Sequence, residues 1–174
     1  MVPSAIDEAL PPGPYVESVP ALALAKARAV TGAGVRGVVL AADTVVLVGD
    51  QLLGKPADAD AARRMLRLLR HRAHHVITGV AVIDSERGRE ATTVVVTRVV
   101  MSDYDDAAIE AYVATGGALD KAGGYAIQDI PSEWVTALDG PYTNVVGLPL
   151  AATRRLLADF GVPLLAAVVS VEEG

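Results

Sequence analysis

Runs of β-branched and aliphatic residues, set apart by short polar stretches, give the chain its first outline. Val38, Val39, Leu40, Val45, Val46, Leu47 and Val48 form one such run and predict a buried strand, with a turn through Gly49 and Asp50 behind it. Val76 to Ile83 and Ala91 to Met101 form two more. The polar loop from Asp84 to Arg89 joins them, so an antiparallel hairpin is expected. A shorter strand is expected from Trp134 to Leu138, followed by a turn at Asp139-Gly140-Pro141.

Helical spacing governs the stretches between. From Val19, with Pro20 at the first helical position, Leu22, Ala25, Ala29 and Val30 share a side until Gly32 stops the helix. Asp58 caps a second helix in which Ala62, Met65, Leu66 and Leu69 turn inward while Arg63, Arg64, Arg67 and Arg70 face solvent. Ser102 opens a third, with Asp105 in a short capping box and Ile109, Tyr112 and Val113 buried. A last helix runs through Leu156, Leu157 and Phe160 to Gly161 and Pro163. The apolar tail from Leu164 to Val171 suits either an extra strand or an oligomer contact. Strands alternating with helices, and containing an antiparallel hairpin, predict an α/β fold with a mixed sheet and flanking helices.

Composition narrows the class. At 174 residues the chain suits one domain, residues 1–174, able to bury roughly 70% of its unfolded surface without covalent staples. It has no cysteine, which removes disulfides, thiolate metal sites and a cysteine nucleophile and fits a cytoplasmic protein. A net charge of −6 with one Phe, one Trp and five Tyr offers neither a basic face nor a stacking platform for a nucleic acid polymer. No apolar run approaches the ~18 residues of a membrane span. A polyanionic ligand would need local lysines or a divalent cation to offset the overall field.

Against that background Asp43 stands out. A carboxylate within an apolar strand costs several kcal/mol unless it is paired, hydrogen-bonded or metal-bound. Chemistry and a simple strand bulge both remain open readings. Lys55 follows between Gly54 and Pro56, where proline holds it extended, and the hairpin should bring this cation towards Asp43. Lys26, on an alanine-rich helix, reads from its surroundings as a solvated residue. His71, His74 and His75 lack a partner acid at ligand spacing, so a metal site is not expected there. The segment Leu119 to Asp129 combines charges, glycines and Gln128, which carries the donor and acceptor needed to read a base edge. A turn required only by topology explains it equally well.

Four separated patterns then coincide: Ala42-Asp43-Thr44-Val45-Val46 with Gly54-Lys55-Pro56; His74 with Thr78-Gly79-Val80; Asp120-Lys121-Ala122-Gly123 with Ile127-Gln128; and Tyr142 to Leu150. Together with Val2-Pro3-Ser4, Asp7-Glu8 and Leu24-Ala25-Lys26-Ala27 they resemble the Maf family of nucleoside triphosphate pyrophosphatases, from Val2 to about Gly161. The resemblance implies an elongated fold related to inosine triphosphatase, with two lobes around a cleft. It also implies hydrolysis of dTTP, UTP and related or modified pyrimidine nucleotides to the monophosphate and pyrophosphate. A divalent cation, Mg or Mn, is the implied cofactor. Asp43 matches the essential acid that activates water or binds the metal, and Glu8 a second acid there, making Asp43 and Glu8 the implied metal ligands. Lys26 and Lys55 match the lysines that offset triphosphate charge, and Gln128 the polar residue near base or metal. The family and the tail also admit a homodimer.

One departure accompanies the matches. The family opens with a strand and a Ser-x-Ser-x-Arg-Arg loop that contacts the phosphates, and no counterpart is found here. Arg63-Arg64 and Arg154-Arg155 lie on predicted helices without the serines. The expectation is an N-terminally shortened domain, with a catalytically impaired nucleotide-binding or cell-division-associated protein as the alternative to an active enzyme.

Overall fold

The computed structural model describes Leu10 and residues 13–163. Its elements, in order, are α1 (Tyr15–Gly32), β1 (Val38–Val48), β2 (Gln51–Leu53), α2 (Ala59–Leu69), β3 (Ala73–Asp84), β4 (Arg89–Met101), α3 (Asp106–Ala114), β5 (Val135–Asp139), α4 (Tyr142–Val146) and α5 (Leu150–Asp159). The five strands form one sheet in the order β2-β1-β3-β4-β5.

Every pairing in that sheet is antiparallel, where the sequence predicts a mixed sheet. The cause lies in the route from β2 to β3. These strands run in the same direction and are joined through α2, as in a parallel crossover, but β1 lies between them and is antiparallel to both. The sheet's spine is the β3–β4 hairpin, closed by a turn at Ser85–Gly88 and in register from Asp84↔Arg89 to Ala73↔Val100. On its other side β1 is locked to β3 from Val38↔Asp84 to Leu47↔His75.

Helices cover both faces. On one face, Val19 of α1 packs with Val45 and Ile77, and Ala23 and Ala27 pack against Ala81 and Ile83. On the other, α2 and α3 bring Leu66, Leu69, Ile109 and Tyr112 onto Val46, Val76, Val99 and Met101. There Trp134 stacks on Tyr104 with ring centroids 4.0 Å apart, and farther along Leu156 of α5 and Phe160 at its end cover Val80 and Val82. No helix among the described residues is long and apolar enough to cross a membrane.

The helix boundaries depart from the expected ones for local reasons. Helix α1 begins at Tyr15 behind Pro14, so Pro20 is an interior residue, and the buried stripe is Val19, Leu22, Ala23 and Ala27, with Ala25 exposed. A stretch so rich in alanine hides which side faces inward. Pro20 lies where the helix comes closest to the sheet: a Cβ on Gly79 would stand 2.5 Å from the Cα and N of Pro20. Helix α3 is capped by Asp105, whose carboxylate accepts from Ala108 N at 2.8 Å. Ser102 does not cap it, because its amide donates to Trp134 O and its carbonyl accepts from His71 N.

Asp58 caps α2 as expected, accepting from Ala61 N at 2.7 Å. Three of the arginines assigned to solvent reach across to α3 instead. Arg63 donates to Glu110 at 2.8 Å, and Arg67 and Arg70 each donate to Asp106 at 2.9 Å. The segments expected at Val2 to Ile6 and Leu164 to Val171 lie outside the described residues.

Candidate active site

Successive residues of a strand point to opposite faces of the sheet, and at Asp43-Thr44 that alternation divides the chemistry. Asp43 turns to α1. There Lys26 Nζ donates to Asp43 Oδ1 at 2.5 Å, and the two side chains retain only 14% and 11% of their exposure. Lys26 is therefore not the solvated residue that its helix suggests. It lies seven residues beyond Val19, where α1 docks on the sheet, and Asp43 lies directly opposite Gly79 in the β1–β3 ladder. The close approach at Gly79 thus sets the helix at a height from which a lysine spans to the strand.

Thr44 turns the other way, into a cleft of about 200 Å³. Thr44, Val46 and Val76 contribute strand positions to its wall, Lys55 enters from the end of β2, and Lys121, Tyr125 and Gln128 come from the segment after α3. Three contacts dock that segment. Gly123 N donates to Gly54 O at 3.0 Å, Ala126 N donates to the Tyr112 hydroxyl at 3.0 Å, and the Tyr125 hydroxyl lies 2.6 Å from His74 Nε2. Gly123 has φ +76°, and a Cβ there would press on the Val46 side chain at 3.2 Å, so backbone shape and space both call for glycine.

Charge is concentrated on this wall. Lys121 Nζ donates to Asp120 Oδ2 at 2.7 Å. That bond, aided by the positive charge of Lys55, holds the Asp120 carboxyl below its ordinary range, and the same bond to Asp120 raises the Lys121 ammonium. Below Thr44 the floor is tied together by hydroxyls: Thr44 Oγ1 is 2.9 Å from Thr78 Oγ1 and donates to Gly147 O at 3.3 Å. Asn144, fully buried, donates through Nδ2 to Val76 O and Thr97 Oγ1 at 3.0 Å each, pinning α4 beside the cleft.

His74 serves this wall from within. It is buried edge-on to Tyr125, and burial, with a smaller push from the charge of His75, lowers its pKa to about 4. The imidazole is neutral at neutral pH. In the unfolded chain the ring takes up a proton near 6.5, so between about 6.5 and about 4 the unfolded state binds the proton and the folded state does not. Stability contributed at this site is complete above that window and falls as pH drops through it, by about 3 kcal/mol in all. Denaturant melts at several pH values should show this loss, and His74→Phe should flatten it.

The sequence-derived residues therefore fall into two pairs, Lys26 with Asp43 and Lys55 with Gln128, on opposite faces of β1. The cation bonded to Asp43 is Lys26 rather than Lys55, because Lys55 follows β2 onto the side of Thr44. Glu8 lies outside the described residues. In the sequence Asp120-Lys121 contributes to the family pattern without a role for either residue at the site, and Asn144 reads as part of a turn. The signal for the charged pair is its place one residue ahead of Gly123 and Gly124.

Among the described residues no group of three or more His, Asp or Glu side chains is placed to hold a metal ion. Asp43 offers one carboxylate, with Oδ1 bonded to Lys26. That donor set fits Mg²⁺, a hard cation commonly bound through one or two carboxylates together with substrate phosphates, better than a metal held entirely by protein.

Residues 1–160 match the family described as Maf-like protein. A protein of Moorella thermoacetica named dTTP/UTP pyrophosphatase is 50% identical over 164 residues, covering 92% of this chain and 83% of the relative. A protein of the same name from Anaeromyxobacter dehalogenans strain 2CP-C is 49% identical over 165 residues, covering 93% and 83%. Another from Salinibacter ruber is 47% identical over 156 residues, covering 88% and 76%.

Proposed function

The chain belongs to the Maf-like protein family, and on that footing we propose that it is a pyrophosphatase that hydrolyses dTTP, UTP and related pyrimidine nucleoside triphosphates to the monophosphate and pyrophosphate. The observation that carries this reading is the cleft itself. It offers Lys55 for phosphate charge and Gln128 for a base edge. Asp43 faces α1 on the other side of β1, so a triphosphate held by Lys55 reaches it around the β1 edge, which β2 covers only at Val46 to Val48 among the described residues.

In this reading the scissile bond is the phosphoanhydride between the α and β phosphates. Water gives its hydroxyl to one phosphorus and releases a proton, and the bridging oxygen stays with the departing phosphate. Asp43 orients the water and accepts or passes on that proton. Lys26 fixes the carboxylate in direction through its bond to Oδ1. Lys55 binds the phosphates in a protein whose net charge would otherwise repel them. Asp43, with Glu8 as the second acid, would hold the divalent cation, which supplies charge neutralisation across the phosphate oxygens. Gln128 contributes both a donor and an acceptor to the edge of a pyrimidine. Positioning and electrostatics are what phosphoryl transfer requires of a protein.

The test is release of pyrophosphate from dTTP, UTP, ITP and GTP, with magnesium or manganese present and with both withheld. Metal-dependent release from dTTP and UTP well above that from the purine nucleotides is the expected result. Equal or better turnover of ITP would remove the pyrimidine assignment, and release from none of the four would remove the enzymatic one.

A further inference from the structure

Lys55 and Lys121 line the same cleft, yet the described residues give them different partners. Lys55 makes no ion pair among the described residues, whereas Lys121 is bonded to its own sequence neighbour Asp120. That bond does not hold the fold together. The segment is docked by the amides of Gly123 and Ala126 and by the Tyr125–His74 contact, none of which involves the Lys121 or Asp120 side chain. Both side chains remain accessible, Lys121 at 39% and Asp120 at 71% exposure. An exposed pair between adjacent residues contributes little to stability. Its effect is local: it holds an ammonium group at the cleft wall, in the charged form, on a segment whose backbone is tied to Gly54 beside Lys55.

We propose that Lys121 is a substrate-binding residue, a second cation of the cleft that acts with Lys55 on the β and γ phosphates, and that Asp120 is a placeholder counter-ion that yields it to the ligand. The proposal deepens the nucleotide reading and rests on it for the identity of the anion. Two lysines against one aspartate leave the wall with one net positive charge in a chain of net charge −6, which favours an anion at this place over the rest of the surface. With a phosphate oxygen in reach, Lys121 exchanges one charge-assisted hydrogen bond for another. The carboxylate it leaves is already solvated and stays ionised.

Inorganic pyrophosphate, titrated calorimetrically in the presence of a chelator, is the probe, with the parent protein, Lys121→Met, Lys121→Arg and Asp120→Asn compared. All four should melt alike, since neither side chain takes part in packing. Lys121→Met is expected to weaken binding about tenfold or more, the loss of one charged hydrogen bond. Lys121→Arg should stay within about threefold of the parent, and Asp120→Asn should bind as tightly as the parent or more so. An unchanged affinity in Lys121→Met overturns the proposal, as does failure of the parent to bind pyrophosphate or loss of binding in Asp120→Asn.

Turnover of dTTP separates this proposal from the catalytic one. Lys121-dependent pyrophosphate binding without turnover would retain the anion site and remove the enzymatic reading. Turnover with the parent's KM in Lys121→Met would retain the enzyme and remove the role of Lys121.

Discussion

Asp43→Asn is expected to lower pyrophosphate release from dTTP by about 10²- to 10⁴-fold, the range lost when a positioned acid or base is removed. Asparagine nearly matches aspartate in shape, and its Oδ1 can still accept from Lys26 Nζ, so the link between β1 and α1 survives in form. What disappears is the charge. Lys26, at 14% exposure, would then sit beside a neutral amide, and the variant should be less stable than the parent by less than the about 3–5 kcal/mol lost when a fully buried pair is broken. Activity must therefore be measured well below the melting temperature. A double-mutant cycle with Lys26→Met separates the two effects: the stability losses should couple, because the residues are bonded to each other. Turnover in folded Asp43→Asn close to that of the parent would remove Asp43 from the chemistry.

The largest structural effect is expected at Gly79→Ala. The added Cβ would lie 2.5 Å from Pro20 Cα and N and 2.6 Å from Val19 C, all backbone atoms of α1, so no side chain can swing aside. Either the helix lifts or the strand bows. Overpacking of this kind costs about 1–3 kcal/mol or more. At the upper figure, a chain of this length should melt about 6–12 °C lower. Lifting α1 also carries Lys26 away from Asp43, so the variant should lose activity beyond what its lowered stability explains. Thermal unfolding followed by circular dichroism, with turnover measured at low temperature, checks both. A melting temperature within a degree of the parent would show that the contact between α1 and β3 is looser than these distances imply.

Much of this arrangement is legible in the order of residues alone. The polar loop between β3 and β4 and the stripe Ala62, Leu66 and Leu69 are short-range patterns that the hairpin and the helical turn convert directly into structure. The apolar run around Asp43 forms the expected strand but is buried only at Val45, Val46 and Val48, with Val38 and Leu40 exposed, because β2 covers β1 only at Val46 to Val48. Asp43 is conspicuous because a lone acid in an aliphatic strand needs a partner. Its partner is not legible, since on an alanine-rich helix Lys26 gives no sign of which way it points. Likewise nothing within α2 shows that Arg63, Arg67 and Arg70 will meet Glu110 and Asp106, which lie some forty positions on. Asn144 looks like a turn residue because its buried partners, Val76 O and Thr97 Oγ1, belong to strands far off in sequence. The division of the candidate site between two faces follows from the parity of positions 43 and 44, but only once the register with β3 is known.

That parity limits where the chain can change length. The ladder from Val38↔Asp84 to Leu47↔His75 fixes β1 residue by residue, so one residue inserted between Leu40 and Asp43 would move Asp43 across the sheet unless a bulge absorbed it. A carboxylate would then face Lys55 and Lys121 and quench the cations of the cleft, and the bond from Lys26 to Asp43 would be lost. The exposed loops, at Gly49-Asp50 and at Ser85 to Gly88, can take up an added residue without disturbing this order. Insertions and deletions that spare function should therefore collect at those two turns and be missing from β1.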